Sequence, residues 1–274
     1  MLNTEAAFRK HYLDGTIARW LRGVLQVLGA MICACVMLAC AYTGPLPAPA
    51  PDAMAQGEGG EQRTVALLGA SGMVGGYLLR EALARGYTVR VLARTPAKLS
   101  QFADQITIVR GDARDPAAVA ELLRGSDAVI SALGPVTADG DAAHFINTAA
   151  TGNVLQAMQA EGISQYMAVS GAAVVMPGDE RDLLGWWIRT LAQIGLSDAL
   201  QDKQAEYALL ATSSADWMLV RCPIIDPDAY RWAPLVATKT PPAFRLRAGE
   251  LARFMIDQLQ AREFVREGPF LGSR

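Results

Sequence analysis

Thr64-Val65-Ala66-Leu67-Leu68-Gly69-Ala70-Ser71-Gly72-Met73-Val74-Gly75 is the stretch whose reading decides the fold. Thr64 to Leu68 is a short apolar run that reads as a buried strand, and Tyr77 to Arg85 follows with helical spacing, Leu78, Leu79, Ala82 and Leu83 forming one apolar face. Strand, glycine turn and helix in that order turn a glycine pattern into an expectation of dinucleotide binding. Gly69 lets the chain leave the strand in a tight turn. Gly72 removes a side chain so that backbone N–H groups approach a pyrophosphate, and Gly75 lets the helix pack closely on the strand. The expected phosphate cradle is Gly69, Ser71, Gly72, Met73, Val74 and Gly75, facing the positive end of the helix. The spacing is G-x-x-G-x-x-G rather than G-x-G-x-x-G, so the context carries the expectation.

Outward from this stretch the chain alternates strand and helix. Tyr87–Ala93, Ile106–Arg110, Ala128–Leu133, Gln165–Ser170 and Trp217–Arg221 read as further strands. Pro96–Phe102, Pro116–Arg124, 141–161 and 196–212 read as helices. Such alternation predicts an α/β, doubly wound parallel sheet with helices on both faces, one domain over residues 62–274, and a ligand at the carboxyl ends of the strands.

The end of the second strand selects the cofactor. A carboxylate there bonds the ribose of NAD, but this chain has Arg94, with Lys98 one turn on. Cations at this place suit the 2′-phosphate of NADP(H); the plainer alternative is a solvated surface arginine. Asp112 ends the third strand, placed either to accept from an adenine amino group or to cap the next turn. Ala132, Leu133 and Gly134 end the fourth strand, small enough for a cofactor ribose to pass close to the backbone.

Val65 to Leu79, Arg94-Thr95-Pro96-Ala97-Lys98, Arg110-Gly111-Asp112, Ala128 to Gly134 and Val169-Ser170-Gly171 resemble the atypical short-chain dehydrogenase/reductases. Within them the resemblance is to the NAD(P)H-binding, NmrA-like and flavin/biliverdin-IXβ-reductase-like group. Asp202 to Glu206, Asp216-Trp217, Val220 to Pro223 and Ala248 to Phe254 are similar to later segments of that group. The resemblance covers residues 63–271 and implies a Rossmann fold. Most short-chain dehydrogenases use a Tyr-x-x-x-Lys pair, the lysine lowering the pKa of an acid–base tyrosine. Lys203 is present, but Ala199 stands where the tyrosine belongs, and Tyr207 lies on the wrong side. The departure argues against alcohol oxidation and sugar-nucleotide epimerisation. It leaves two expectations. One is NADPH-dependent hydride transfer to a flat conjugated acceptor such as a flavin, quinone or tetrapyrrole, which the resemblance implies. The other is a non-catalytic NADP-binding sensor, regulator or membrane-associated assembly factor. The candidate catalytic residues are Ser170, which either positions a substrate carbonyl or caps the following loop, and Lys203, whose alternative is a helix-surface role. His144 is read as structural.

The chain has 274 residues with mean hydropathy +0.18 and net charge −2, so it makes no electrostatic case for nucleic acid. Cys33, Cys35, Cys40 and Cys222 form neither a disulfide framework nor a zinc pattern, and with only His11 and His144 no histidine metal cluster is available. Much of the hydropathy comes from residues 23–44, long enough to span a bilayer and preceded by Arg9, Lys10, Arg19 and Arg22. Residues 1–60 are thus expected to be a single-span anchor or export signal followed by a Pro/Ala/Gly-rich linker, with the N-terminus cytoplasmic and the domain outside. A small-x-small site at Ala53-Met54-Ala55 permits cleavage, and a start at Met54 would leave a cytoplasmic domain. Residues 172–195 read as an insertion, unusually apolar through Leu183, Leu184, Trp186, Trp187, Ile188 and Leu191. It is expected to pack onto the body, with a lid, or a membrane-facing or partner-facing patch, as alternatives.

Overall fold

The computed structural model describes residues 63–134, 145–180, 183–195 and 197–274. The N-terminal segment 1–60, His144 and the first residues of the expected helix 141–161 lie outside them.

Six parallel strands form the frame: β1 (Thr64–Leu68), β2 (Thr88–Ala93), β3 (Ile106–Arg110), β4 (Ala128–Ser131), β5 (Gln165–Gly171) and β6 (Asp216–Cys222). A buried parallel strand is apolar on both faces, and β1 follows that rule. Val65 and Leu67 enter one core, where Leu78, Leu79 and Ala82 of α1 (Met73–Ala84) meet Leu251, Met255 and Leu259 of α6 (Ala248–Ala261). Ala66 and Leu68 enter the other. There they meet Leu122 of α2 (Pro116–Leu123), Val154 of α3 (Ile146–Glu161) and Leu210 of α5 (Ser197–Thr212). The α/β doubly wound arrangement thus follows from the period-two pattern of the strands and the helical stripes that cover them. Truncating a wholly buried residue such as Leu78 to alanine costs about 2–5 kcal/mol, because the two layers cannot collapse around the void.

The sheet order is β3-β2-β1-β4-β5-β6-β10-β8. Here β10 is Phe270–Gly272, parallel to β6, and β8 is Leu235–Ala237, antiparallel to β10 at the edge. A second, parallel pair joins β7 (Ile224–Asp226) to β9 (Arg245–Arg247). These four strands were not expected from the sequence; at three residues each they are too short for a period to show. The order reverses between β1 and β4, which sets the ligand crevice at the carboxyl ends of these strands. The apolar insertion contains a helix, α4 (Leu183–Gly195).

Candidate functional site

The turn after β1 is built around Gly69, whose φ of +82° is strained for any other residue; a Cβ there would also lie 2.6 Å from the Ala132 carbonyl oxygen. The loops after β1 and β4 therefore touch across the switch point. The Gly72 N–H donates to Gly69 O at 2.9 Å and closes the turn. A Cβ on Gly75 would sit 2.0 Å from Gly69 O, so α1 approaches the turn only because that residue is bare. Gly72 is different. A Cβ there would meet only Gly69 O, at 3.3 Å, so packing within the protein makes a much weaker demand for glycine at this place. α1 starts at Gly72 with no side-chain cap and no acidic residue in its first turn. The leading N–H groups of a helix have no intrahelical acceptor, and its dipole favours an anion. Ser71 is exposed beside them, Val74 is half-buried, and Met73 is buried.

The β2–β3 register pairs Ala93 with Arg110, and the Gly111 N–H donates to Ala93 O at 3.2 Å, bringing Arg94 and Asp112 side by side. Arg94 and Lys98 are exposed. Asp112 accepts from the Arg114 N–H and Nε, both at 2.9 Å, and from its Nη2 at 2.6 Å. The bonds from Arg114 are the main reason its carboxyl is held down at about 2, and the charge of Arg94 adds to the effect. Asp112 thus caps the turn after β3 and lies beside Arg94. Ala132 donates to Leu68 O at 3.0 Å, while Leu133 and Gly134 are half-buried, and space is open where a Gly134 Cβ would be. These loops fit a dinucleotide: a helix N-terminus and bare turn for the phosphates, cations at the β2 end, and uncrowded backbone at the β4 end.

Ser170 lies near the end of β5, is buried, and its Oγ has no hydrogen-bond partner among the described residues. Next to it, the Val169 carbonyl accepts from Lys203 Nζ at 2.8 Å. Lys203, on α5, also donates to Asn147 Oδ1 at 2.7 Å and to Glu206 Oε2 at 2.9 Å, so all three ammonium donors are engaged. Asn147 is held in turn by Asp202, which accepts from its backbone N–H at 3.0 Å and its Nδ2 at 2.7 Å. Glu206, wholly buried, accepts from Thr151 Oγ1 at 3.0 Å. Thr151 has one proton and spends it on Glu206, so the Tyr166 hydroxyl donates to Thr151, 2.9 Å away. Burial first, and then the Glu206 charge, push the Tyr166 phenol far up, which keeps it neutral. Ser131, at the end of β4, bonds the same phenol. A continuous polar chain thus runs from the β4 end, through the protein, to the backbone beside Ser170.

The sequence model for NAD(P)H-binding proteins matches residues 69–262. The chain belongs to the NAD(P)H-binding family. Membership agrees with the resemblance to atypical short-chain dehydrogenase/reductases and makes NAD(P)H the cofactor class. Cinnamoyl-CoA reductase 1 of Oryza sativa subsp. japonica is 29% identical over 124 residues, covering 42% of this chain and 36% of that protein. The match thus spans little more than a third of the plant reductase. Among solved structures, the anaerobillin reductase ChuY of Escherichia coli O157:H7 superposes with a TM-score of 0.65 at 20% identity, covering 76% of this chain and 96% of that one. A short-chain dehydrogenase/reductase of Veillonella parvula, in complex with NADP, gives 0.63 at 16% identity, covering 77% and 94%. Both show the shared fold.

In this NAD(P)H-binding protein, sequence reading singled out Lys203 but missed Asn147, Thr151, Tyr166 and Glu206 around it. α5 carries no clear apolar stripe, so nothing in its pattern marks Asp202 and Glu206 as buried. From the sequence, Arg221 is only the last residue of an expected strand and part of the family resemblance. It is 2% exposed near the carboxyl end of an apolar strand, a placement rare enough for arginine to be a signal. Its guanidinium donates to Asp179 at 2.7 and 2.8 Å and to Gly268 O at 2.7 Å, and lies 3.6 Å from the centre of the Phe270 ring. It ties the loop after β5 to β6 and β10.

Proposed function

We propose that this protein is an NADPH-dependent oxidoreductase that passes hydride to a flat conjugated acceptor of flavin, quinone or tetrapyrrole type. The observation that carries the reading is the environment of Ser170: a buried hydroxyl at the β5 end without a partner among the described residues. Ala199 offers no hydroxyl one turn before Lys203, and Lys203 has no donor left to give. Carbonyl reduction that needs a protein acid to protonate the developing alkoxide is therefore poorly served among the described residues. Reduction of a conjugated acceptor is not, because its charge delocalises and water supplies the proton.

When bound, NADPH supplies the hydride. Gly69, Ser71, Gly72, Met73, Val74 and Gly75 hold its phosphates through backbone N–H groups and the α1 dipole. Arg94, with Lys98, takes the 2′-phosphate, and Asp112 keeps Arg94 oriented. Ala132, Leu133 and Gly134 leave room for the ribose. Ser170 donates its hydroxyl to an acceptor oxygen or nitrogen, which both places the acceptor and satisfies the orphan group. Lys203 is a positioning residue: it fixes the β5 end through Val169 O and does not touch the acceptor. Residues 23–44 tether the domain to a membrane; no helix among the described residues is long and apolar enough to cross one.

The test is steady-state oxidation of NADPH by the full chain with riboflavin, a short-chain quinone and a linear tetrapyrrole offered separately. Turnover with one class, reduced about tenfold in Ser170→Ala, is the expected result. Saturable NADPH binding without turnover would overturn the reductase reading and favour an NADP-binding sensor, a reading to which the full engagement of Lys203 also lends support.

A further inference from the structure

α4 exposes three large apolar side chains. Leu183, Trp186, Trp187 and Thr190 fall at i, i+3, i+4 and i+7, one face of a helix. Leu183 is 80% exposed, Trp186 52% and Trp187 48%. The opposite side faces the body: Gly185 is buried, and Arg189, one turn later, donates to Ala173 O at 2.9 Å. A surface helix normally does the reverse, burying its apolar stripe and solvating its cations. The two indoles lie edge to face, 4.9 Å apart, and cover little of one another. Leu183, Trp186 and Trp187 thus form an exposed apolar face, and such a face calls for an occupant.

The chain names one. Residues 45–62 separate the apolar run 23–44 from β1. An unstructured chain of that length would have a typical span of about 25 Å and a limit of about 60 Å, against a domain radius of gyration of about 17 Å. The domain therefore stays within its own width of the bilayer that holds residues 23–44, yet any face is free to reach it. Tryptophan is the side chain most suited to the headgroup boundary, with an apolar body and a polar N–H. Among the described residues just before α4, Glu180 is paired with Lys239 at 2.6 Å, so this pair adds no net charge beside the apolar face.

We propose that Leu183, Trp186 and Trp187 seat the domain on the bilayer in which residues 23–44 are anchored. The proposal rests on the tether reading above. It is tested with the full chain in phosphatidylcholine vesicles whose acyl chains carry bromine, a short-range quencher of indole fluorescence. In a Trp20→Phe background, which removes the tryptophan next to the apolar run, the fluorescence is expected to remain quenched relative to unbrominated vesicles. Adding Trp186→Ser and Trp187→Ser is expected to abolish at least half of that quenching; both side chains are exposed, so the fold is retained. A Trp20→Phe chain that floats with the vesicles but shows no quenching overturns the seat and leaves the tether standing. A chain that does not float overturns both. Dimerisation lost on replacing Trp186 and Trp187, without quenching, overturns the seat and gives the face to a second copy.

Discussion

Lys203 and Glu206, one turn apart on α5, form an ion pair 2.9 Å long in which Glu206 is wholly buried and the Lys203 side chain 13% exposed. The pair lies under the β5 end and is held at both poles, by Asn147 and Val169 O on the cation and by Thr151 on the anion. Lys203→Met leaves a buried carboxylate with no counter-charge, and a loss of about 3–5 kcal/mol in urea unfolding is expected. Lys203→Met combined with Glu206→Leu should recover much of the loss, since the buried charge is then gone as well. A double variant no more stable than the single one would mean that the network, not the charge, carries the stability.

Ser170 predicts a split between stability and activity. Its hydroxyl is buried without a partner among the described residues, so Ser170→Ala removes an unsatisfied group and should leave the fold as stable as before or up to about 1 kcal/mol more stable. Acceptor reduction should fall about tenfold as the positioning bond is lost. Thermal unfolding and kcat/KM measured on the same preparation check both; a variant that loses stability and keeps full turnover contradicts the assignment.

Gly72 and Gly75 separate ligand from packing. Gly75→Ala drives a methyl into Gly69 O and should destabilise the domain by a few kcal/mol, forcing α1 away from the turn. Gly72→Val has extended backbone, φ −83° and ψ 170°, which valine adopts readily. It should fold and yet lose NADPH binding. Retained binding in Gly72→Val would remove the argument for a phosphate cradle.

Arg94→Ala should weaken NADPH by about 10- to 100-fold, the worth of a charge-assisted bond to phosphate, while NADH changes little. Titration of both cofactors against indole-to-nicotinamide energy transfer reads the ratio, and equal losses would refute the 2′-phosphate assignment.

Asp112 carries a pH signature. Its folded pKa is depressed to about 2, below an ordinary aspartate at about 3.9. A carboxylate depressed on folding stabilises above its unfolded pKa, and the contribution disappears as pH falls through the folded value, here between about 4 and 2. Carboxyl NMR should find Asp112 titrating at about 2, rising towards the ordinary value in Arg114→Ala. No rise would mean that Arg114 is not what holds the proton off.

The sequence by itself determined the βαβ frame and the glycine turn after β1. Both depend on local patterns: apolar runs of strand length, helical stripes, and glycines spaced for a turn that only glycine makes, as the φ of Gly69 bears out. It also placed Arg94, Asp112, Ser170 and Lys203 at strand ends or on the following helix, because position in a βαβ unit follows from order along the chain. Tertiary structure alone decided what those residues touch. Lys203 is engaged on three sides by groups 3, 34 and 56 positions away, Asp112 is claimed by Arg114, and Arg221 reaches back 42 positions to Asp179. It also decided which side chains of α4 are exposed. Periodicity tells that a helix has an apolar side; only the packing of Gly185 and Arg189 against the body says that Trp186 and Trp187 point out.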